Sequence, residues 1–173
     1  MRPLKLMLVL IFTLTTGLIH AQTYEDVVAK FNEGADDINK GDFKVAITHL
    51  NEVIEMGEQV GDEAGDLVEK AKEQIPLVNY QIALGYMKQK DYENAIPYLE
   101  NTVDLAAEYN NNQEYSQKAM RYLPQLLTGV GTQKMKSADL DEAEKMFAHA
   151  VKYSPEYPKA YLGKGLVHQQ KYE

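Results

Sequence analysis

The side chains that could do chemistry are few. The chain has four histidines and no cysteine. Without cysteine there is no disulfide, no thiolate zinc site and no thiol nucleophile. His20 lies in an apolar leader. His49, His149 and His168 fall on helical stretches far apart in sequence, with no spacing that puts two on one face. They read as surface or packing residues, because catalysis needs a converging constellation. Gly129-Val130-Gly131 has the look of a phosphate-binding glycine pair, but the next glycine, a Lys-Ser/Thr pair and a preceding strand are missing. The acidic runs Asp62-Glu63-Ala64-Gly65-Asp66 and Asp139-Leu140-Asp141-Glu142 lack the alternating oxygen ligands, central glycine and distal glutamate of a calcium loop. Both fall at expected helix starts, where carboxylates cap N–H groups and favour the helix dipole. The expectation is a chain with no catalytic residue, no metal site and no cofactor.

Charge narrows the partners. The formal net charge is −8, from 18 basic and 26 acidic residues. Phosphate backbones and anionic lipid both need a basic surface, so neither a nucleic acid nor a membrane surface is an expected partner. A basic peptide or protein surface would be attracted, weakly and salt-dependently. The 25% charged and 45% hydrophobic composition is that of a folding chain.

The elements that would position these residues come in a repeat. Gly41-Asp42-Phe43-Lys44-Val45-Ala46-Ile47-Thr48-His49-Leu50, Lys90-Asp91-Tyr92-Glu93-Asn94-Ala95-Ile96-Pro97-Tyr98-Leu99 and Ala138-Asp139-Leu140-Asp141-Glu142-Ala143-Glu144-Lys145-Met146-Phe147 superimpose. Asp42, Asp91 and Asp139 are placed to cap a following helix. Phe43, Tyr92 and Leu140 are expected to pack back on the preceding one. Ala46, Ala95 and Ala143 stand one turn before Leu50, Leu99 and Phe147, hence on the same face. A small residue there lets helices approach, and the bulky one fills the next gap. Seven residues before each turn stands Gly34, Ala83 or Gly131, within a second helical pattern. Each unit is thus helix A, a short turn, then helix B.

These residues resemble the tetratricopeptide repeat, whose pattern runs Leu-Gly, Tyr, Ala-x-x-x-Phe, Pro. The third unit carries Ala143, Phe147, Ala150 and Pro155. The second carries Ile82-Ala83, Tyr86, Ala95, Leu99 and Leu105. The first carries Gly34, Ala46, Leu50 and Val53. Ala160 to Leu166 resembles the opening of a fourth helix A. No tryptophan fills the usual Trp position, since the chain has none. The resemblance implies an all-α solenoid over residues 22–173: three antiparallel hairpins and a partial fourth, wound as a right-handed superhelix. Ala46, Leu50, Ala83, Tyr86, Ala95, Leu99, Ala143 and Phe147 form its expected core. Residues 168–173 look like the approach to another turn, so the sequence is expected to be a fragment, with further repeats or a separate domain beyond Glu173.

The period departs from the family's 34 residues. The first two steps are 49 (Gly41 to Lys90) and 48 (Lys90 to Ala138), while Pro124 and Pro158 are 34 apart. Each surplus, about 14 residues against the family period, holds a break and then an amphipathic stretch ending at Pro76 or Pro124. Proline suits a first helical turn and kinks an interior. Two arrangements fit: helix A extended backwards with a kink, which is the expectation, or a separate short helix before it.

Residues 1–21 read as a secretory signal. Arg2 and Lys5 precede the apolar Leu6 to Phe12, and Ile19-His20-Ala21 supplies a cleavage point. The apolar stretch is about 14 residues, short of the roughly 20 that span a bilayer. Loss of Arg2 and Lys5 leaves 16 basic residues against 26 acidic, a net charge of −10. The expected location is the periplasm or cell envelope, or the extracellular space.

The function this implies is a non-catalytic scaffold that binds a protein or peptide on the concave, helix A surface. The alternative is an N-terminal adaptor whose longer protein carries an enzyme or peptidoglycan-binding part further on. A lipid-anchored nutrient-binding protein is a third reading, disfavoured by the absence of cysteine. By family register the concave candidates are Val28, Phe31 and Ile38, then Leu77, Tyr80, Leu84, Met87 and Lys88, then Gln125, Thr128, Thr132, Met135 and Lys136. Some relatives clamp a C-terminal carboxylate with Lys, Arg and Asn on helix A. The matching positions here are Phe31, Asn32, Ala35, Gln81, Gln125 and Gly129, of which only Asn32 fits, so that activity is not expected. Most of the twelve tyrosines fall at core positions or helix ends; Tyr80 is the one expected in the groove. The competing reading is that the surplus helical stretches pack over the groove residues and make them core.

Overall fold

The computed structural model describes residues 22–111 and 113–172. The expected signal segment, 1–21, lies outside the described residues. Seven helices follow one another: α1 (Tyr24–Lys40), α2 (Phe43–Val60), α3 (Gly65–Lys88), α4 (Tyr92–Glu108), α5 (Gln113–Lys136), α6 (Leu140–Tyr153) and α7 (Pro158–Tyr172). A 3₁₀ turn, Asp62–Ala64, precedes α3. Among the described residues there is no strand. The chain is an all-α solenoid of antiparallel hairpins: α1–α2, α3–α4 and α5–α6, with α7 laid on the last.

One turn geometry recurs in all three hairpins. Gly41, Lys90 and Ala138 occupy the same left-handed position, at φ of 83°, 59° and 61°. The next N–H, from Asp42, Asp91 or Asp139, reaches back to the carbonyl of Asp37, Tyr86 or Lys134 at 2.9–3.0 Å. That six-to-one bond terminates helix A. The same aspartate then starts helix B. Asp91 and Asp139 accept from the N–H groups of Asn94 and Glu142. Asp42 makes no such side-chain bond, so the cap expected there is not formed. At the head of the stack, Thr23 and Asp26 form a reciprocal capping box.

Both surplus stretches are the N-terminal halves of continuous helices. Helices α3 and α5 are 24 residues each, with Pro76 and Pro124 inside. Helix B is lengthened to match, with 18 residues in α2 and 17 in α4, against 14 in α6. The long period is thus a taller hairpin wall. The added turns bury Val68, Ala71 and Ile75 in α3, and Ser116, Ala119 and Leu123 in α5. Gly57 permits the approach of α2 and α3, since a Cβ there would stand 2.3 Å from Val68 Cγ2.

The expected core is largely the observed one: Ala46, Leu50, Ala83, Ala95, Leu99, Ala143 and Phe147 are 0–1% exposed. Two aromatic residues differ. Tyr86 is half-buried, stacked on Tyr98 with centroids 5.7 Å apart, and its hydroxyl accepts from Lys44 Nζ at 2.6 Å. Tyr92, expected to close its turn, is 38% exposed. Phe43 and Leu140, at the equivalent positions, do pack on core clusters. Phe147 is the wedge of the last unit, because added Cβ atoms at Gly131 and Gly163 would meet its ring at 3.1 and 2.3 Å. Tyr161, Leu162, Leu166 and Tyr172 on α7 remain exposed. No helix among the described residues is long and apolar enough to cross a membrane.

Candidate functional site

The two layers of the solenoid are unequal. Cα atoms of α1 and α3, of α3 and α5, and of α5 and α7 approach within 8 Å. No Cα pair of α2 and α4, or of α4 and α6, does so. Helices A therefore form the tight layer and helices B the splayed one, which puts the groove on the helix A side.

That groove has three contiguous segments. The first, about 540 Å³, runs from the α1–α2 turn (Asp42, Lys44, Val45) to Gln81, Gly85 and Gln89 of α3. The second, about 620 Å³, lies between α3 and the added turns of α5, against Tyr80, Leu84, Tyr115, Lys118, Arg121 and Tyr122. The third, about 720 Å³, lies between α5 and α7, against Thr128, Thr132, Met135, Lys159, Leu162 and Leu166. Gln81 lines the first and second segments, and Gln125 the second and third. The path thus crosses three helices A without interruption.

Of the sequence candidates, Tyr80, Leu84, Thr128 and Met135 line this path, with Gln125 and Thr132. Tyr80 is only 6% exposed, and burial pushes its phenol up. Its ring sits 5.6 Å from that of Tyr115, so an added turn of α5 does cover it. Thr128 is also 6% exposed and donates its hydroxyl to the Pro124 carbonyl at 2.8 Å. Phe31 and Ile38 are half-buried against the first core. Leu84 and Met87 pack on the second core and Met135 on the third. Val28 and Leu77 are half-buried, while Lys88 and Lys136 are exposed. The groove floor is therefore shared with the core, and its accessible rim mixes polar side chains with the exposed Val45, Leu162 and Leu166.

Family register missed Tyr115, Lys118 and Tyr122, because the added turns have no place in a 34-residue repeat. Their spacing carried the signal: with Gln125 they stand at i, i+3, i+7 and i+10, one helical face. Lys44, Arg121 and Lys159 were missed as well. Lys44 lies over the rings of Tyr86 and Tyr98 at 5.1 and 5.8 Å, a cation–π arrangement.

The histidines have local partners. His49 Nδ1 is 2.8 Å from Asp37 Oδ2. His168 packs against Tyr172 with ring centroids 4.6 Å apart and the planes tilted by 44°. His149 Nε2 lies 3.3 Å from Glu100 Oε1 across the α4–α6 cleft. Burial pushes the Glu100 carboxyl up, with His149 opposing, and Tyr153 beside it is pushed up to about 12 by burial and by Glu100. Among the described residues no three His, Asp or Glu side chains converge as a metal-binding group.

Helical hairpins stacked so that one layer lines a groove define the chain as a helical-repeat interaction module. Residues 77–109, from the second half of α3 to the end of α4, match the family model described as tetratricopeptide repeat. The turn that closes this matched repeat recurs in phase in the other two hairpins. Among solved structures, the C-terminal TPR-containing domain of a Plasmodium falciparum FK506-binding protein is similar at 18% identity, covering 85% of this chain and 89% of that one, with a TM-score of 0.33. No curated protein matches the chain in sequence.

Proposed function

We propose that this protein is a non-catalytic scaffold of the cell envelope that holds an extended segment of a partner protein along its helix A groove. The observation that carries this reading is continuity: three groove segments, joined at Gln81 and Gln125, cross α3, α5 and α7. Neither glutamine side chain is hydrogen-bonded within the described residues, which leaves two amides to pair with an extended backbone. A helical hairpin buries one face against its neighbours and leaves the other to a ligand.

A photo-crosslinking residue at the exposed position 125, in cells, tests the site. The control is Asn101, exposed on α4 in the outer layer. The expected result is a discrete protein adduct from position 125 and none from 101. Equal adducts from both, or an adduct from 101 alone, refute the groove.

Location belongs to the same proposal. Arg2, Lys5 and the apolar run to Leu18 support export with cleavage after Ala21. Intact mass of the native protein is the check, and a chain that retains Met1 refutes cleavage.

A further inference from the structure

Charge is segregated in this repeat stack. Lys44, Lys118, Arg121 and Lys159 line the groove, against one acid, Asp42. The chain as a whole has 18 basic and 26 acidic residues. Across the solenoid, the α4–α6 cleft is lined by Glu93, Glu100 and Glu142, with Lys134 and His149. Lys134 is tied to Glu93 at 2.9 Å. The sign of the surface therefore reverses inside the groove. A concave surface of one sign focuses its field on an incoming ligand, while the acidic exterior repels anions from other sites.

Arg121 is the sharpest element. It is exposed and has no ion pair, hydrogen bond or ring contact within the described residues. Its planar fork matches a carboxylate with two parallel hydrogen bonds. One turn earlier, Lys118 already holds a carboxylate, that of Glu114, in an exposed pair that a ligand carboxylate could replace. Tyr80 of α3 and Tyr115 and Tyr122 of α5 line the same segment as the two cations, an aromatic wall for an apolar neighbour of that carboxylate.

We propose that the groove selects an acidic, extended internal segment of a partner protein. An Asp or Glu side chain sits on Arg121 and Lys118, and the flanking residue lies against the tyrosine wall. This rests on the groove being the binding face, and adds the chemistry of its occupant. The cations belong to the added turns of α5 and to helix starts. The helix A positions that would hold a chain terminus carry Phe31, Asn32, Ala35, Gln81, Gln125 and Gly129, none of them charged and only Asn32 suited to that role. Side-chain carboxylates, and not a C-terminus, are therefore the ligand.

The test is selection of a random 12-residue peptide library, flanked at both ends so that no free terminus is offered, on the immobilised full chain. The same selection is run on Lys118→Glu/Arg121→Glu, both exposed or half-exposed sites, with circular dichroism to verify the fold. The expected result is a pool enriched in Asp and Glu, with synthetic, end-blocked winners weakened about tenfold by Arg121→Gln, the size of one charge-assisted hydrogen bond at a partly wet site. Acid enrichment should vanish from the charge-reversed chain. A pool that is apolar or basic, yet blocked by bulky substitution of Gln125, overturns the acidic preference and leaves the groove reading standing. An acidic pool indifferent to Lys118, Arg121 and Gln125 overturns both, as does the absence of any enriched pool.

Discussion

The packing of α7 rests on one glycine, and the consequence is measurable. A Cβ added at Gly163 would stand 2.3 Å from Phe147 Cε1 and 2.5 Å from two further ring atoms. Phe147 is 1% exposed, wedged also against Gly131, and has nowhere to retreat. Two positions on, a Cβ at Gly165 meets nothing within 4 Å. Both glycines lie inside the same helix, so glycine to alanine gains a similar propensity term of about 0.8–1.0 kcal/mol at each. What differs is the overpacking, about 1–3 kcal/mol. Gly165→Ala should therefore stabilise the chain by up to about 1 kcal/mol. Gly163→Ala should sit about 1–3 kcal/mol below it. Urea unfolding followed by far-ultraviolet circular dichroism is the assay, since the chain has no tryptophan. Amide exchange across 158–172 adds a local readout, because one unit of a repeat stack can open apart from its neighbours. Gly163→Ala/Phe147→Leu should recover part of the loss, as contacting sites are non-additive. If Gly163→Ala is as stable as Gly165→Ala, the wedge account is wrong.

Three further outcomes are expected. Leu99→Ala, at a fully buried position, should cost roughly 2–5 kcal/mol in the same urea assay. Asp91→Ala and Asp139→Ala each remove a bond to a helix N-terminus and should cost about 0.5–2 kcal/mol, while Asp42→Ala, which removes none, should cost less. Glu100, raised by burial, binds its proton more tightly folded than unfolded. Its contribution is thus fully present below the ordinary carboxyl value and is lost as pH rises through the raised one. Urea midpoints taken from pH 4.5 upward should move in favour of Glu100→Gln relative to the parent, and parallel profiles would contradict the burial account.

Repeat existence, helix number and the residues of each hairpin seam were legible in the chain by itself. Local rules fix them: a left-handed residue and an aspartate at each turn, an alanine one turn before a bulky partner, a glycine or alanine seven residues before the turn. Such signals need only nearest neighbours along the helix. Tertiary structure decided three things. It made the surplus residues into continuous taller helices, because Val68, Ala71, Ile75, Ala119 and Leu123 find burial against the neighbouring hairpins. It turned Tyr80 inward, because Tyr115 from the next unit covers it at 5.6 Å. It also gathered Lys44, Lys118, Arg121 and Lys159 from three helices into one groove. A net charge of −8 pointed to basic partners, since composition averages over all faces. Which charges share a face depends on how the hairpins stack, and that is written in contacts between residues far apart in the chain.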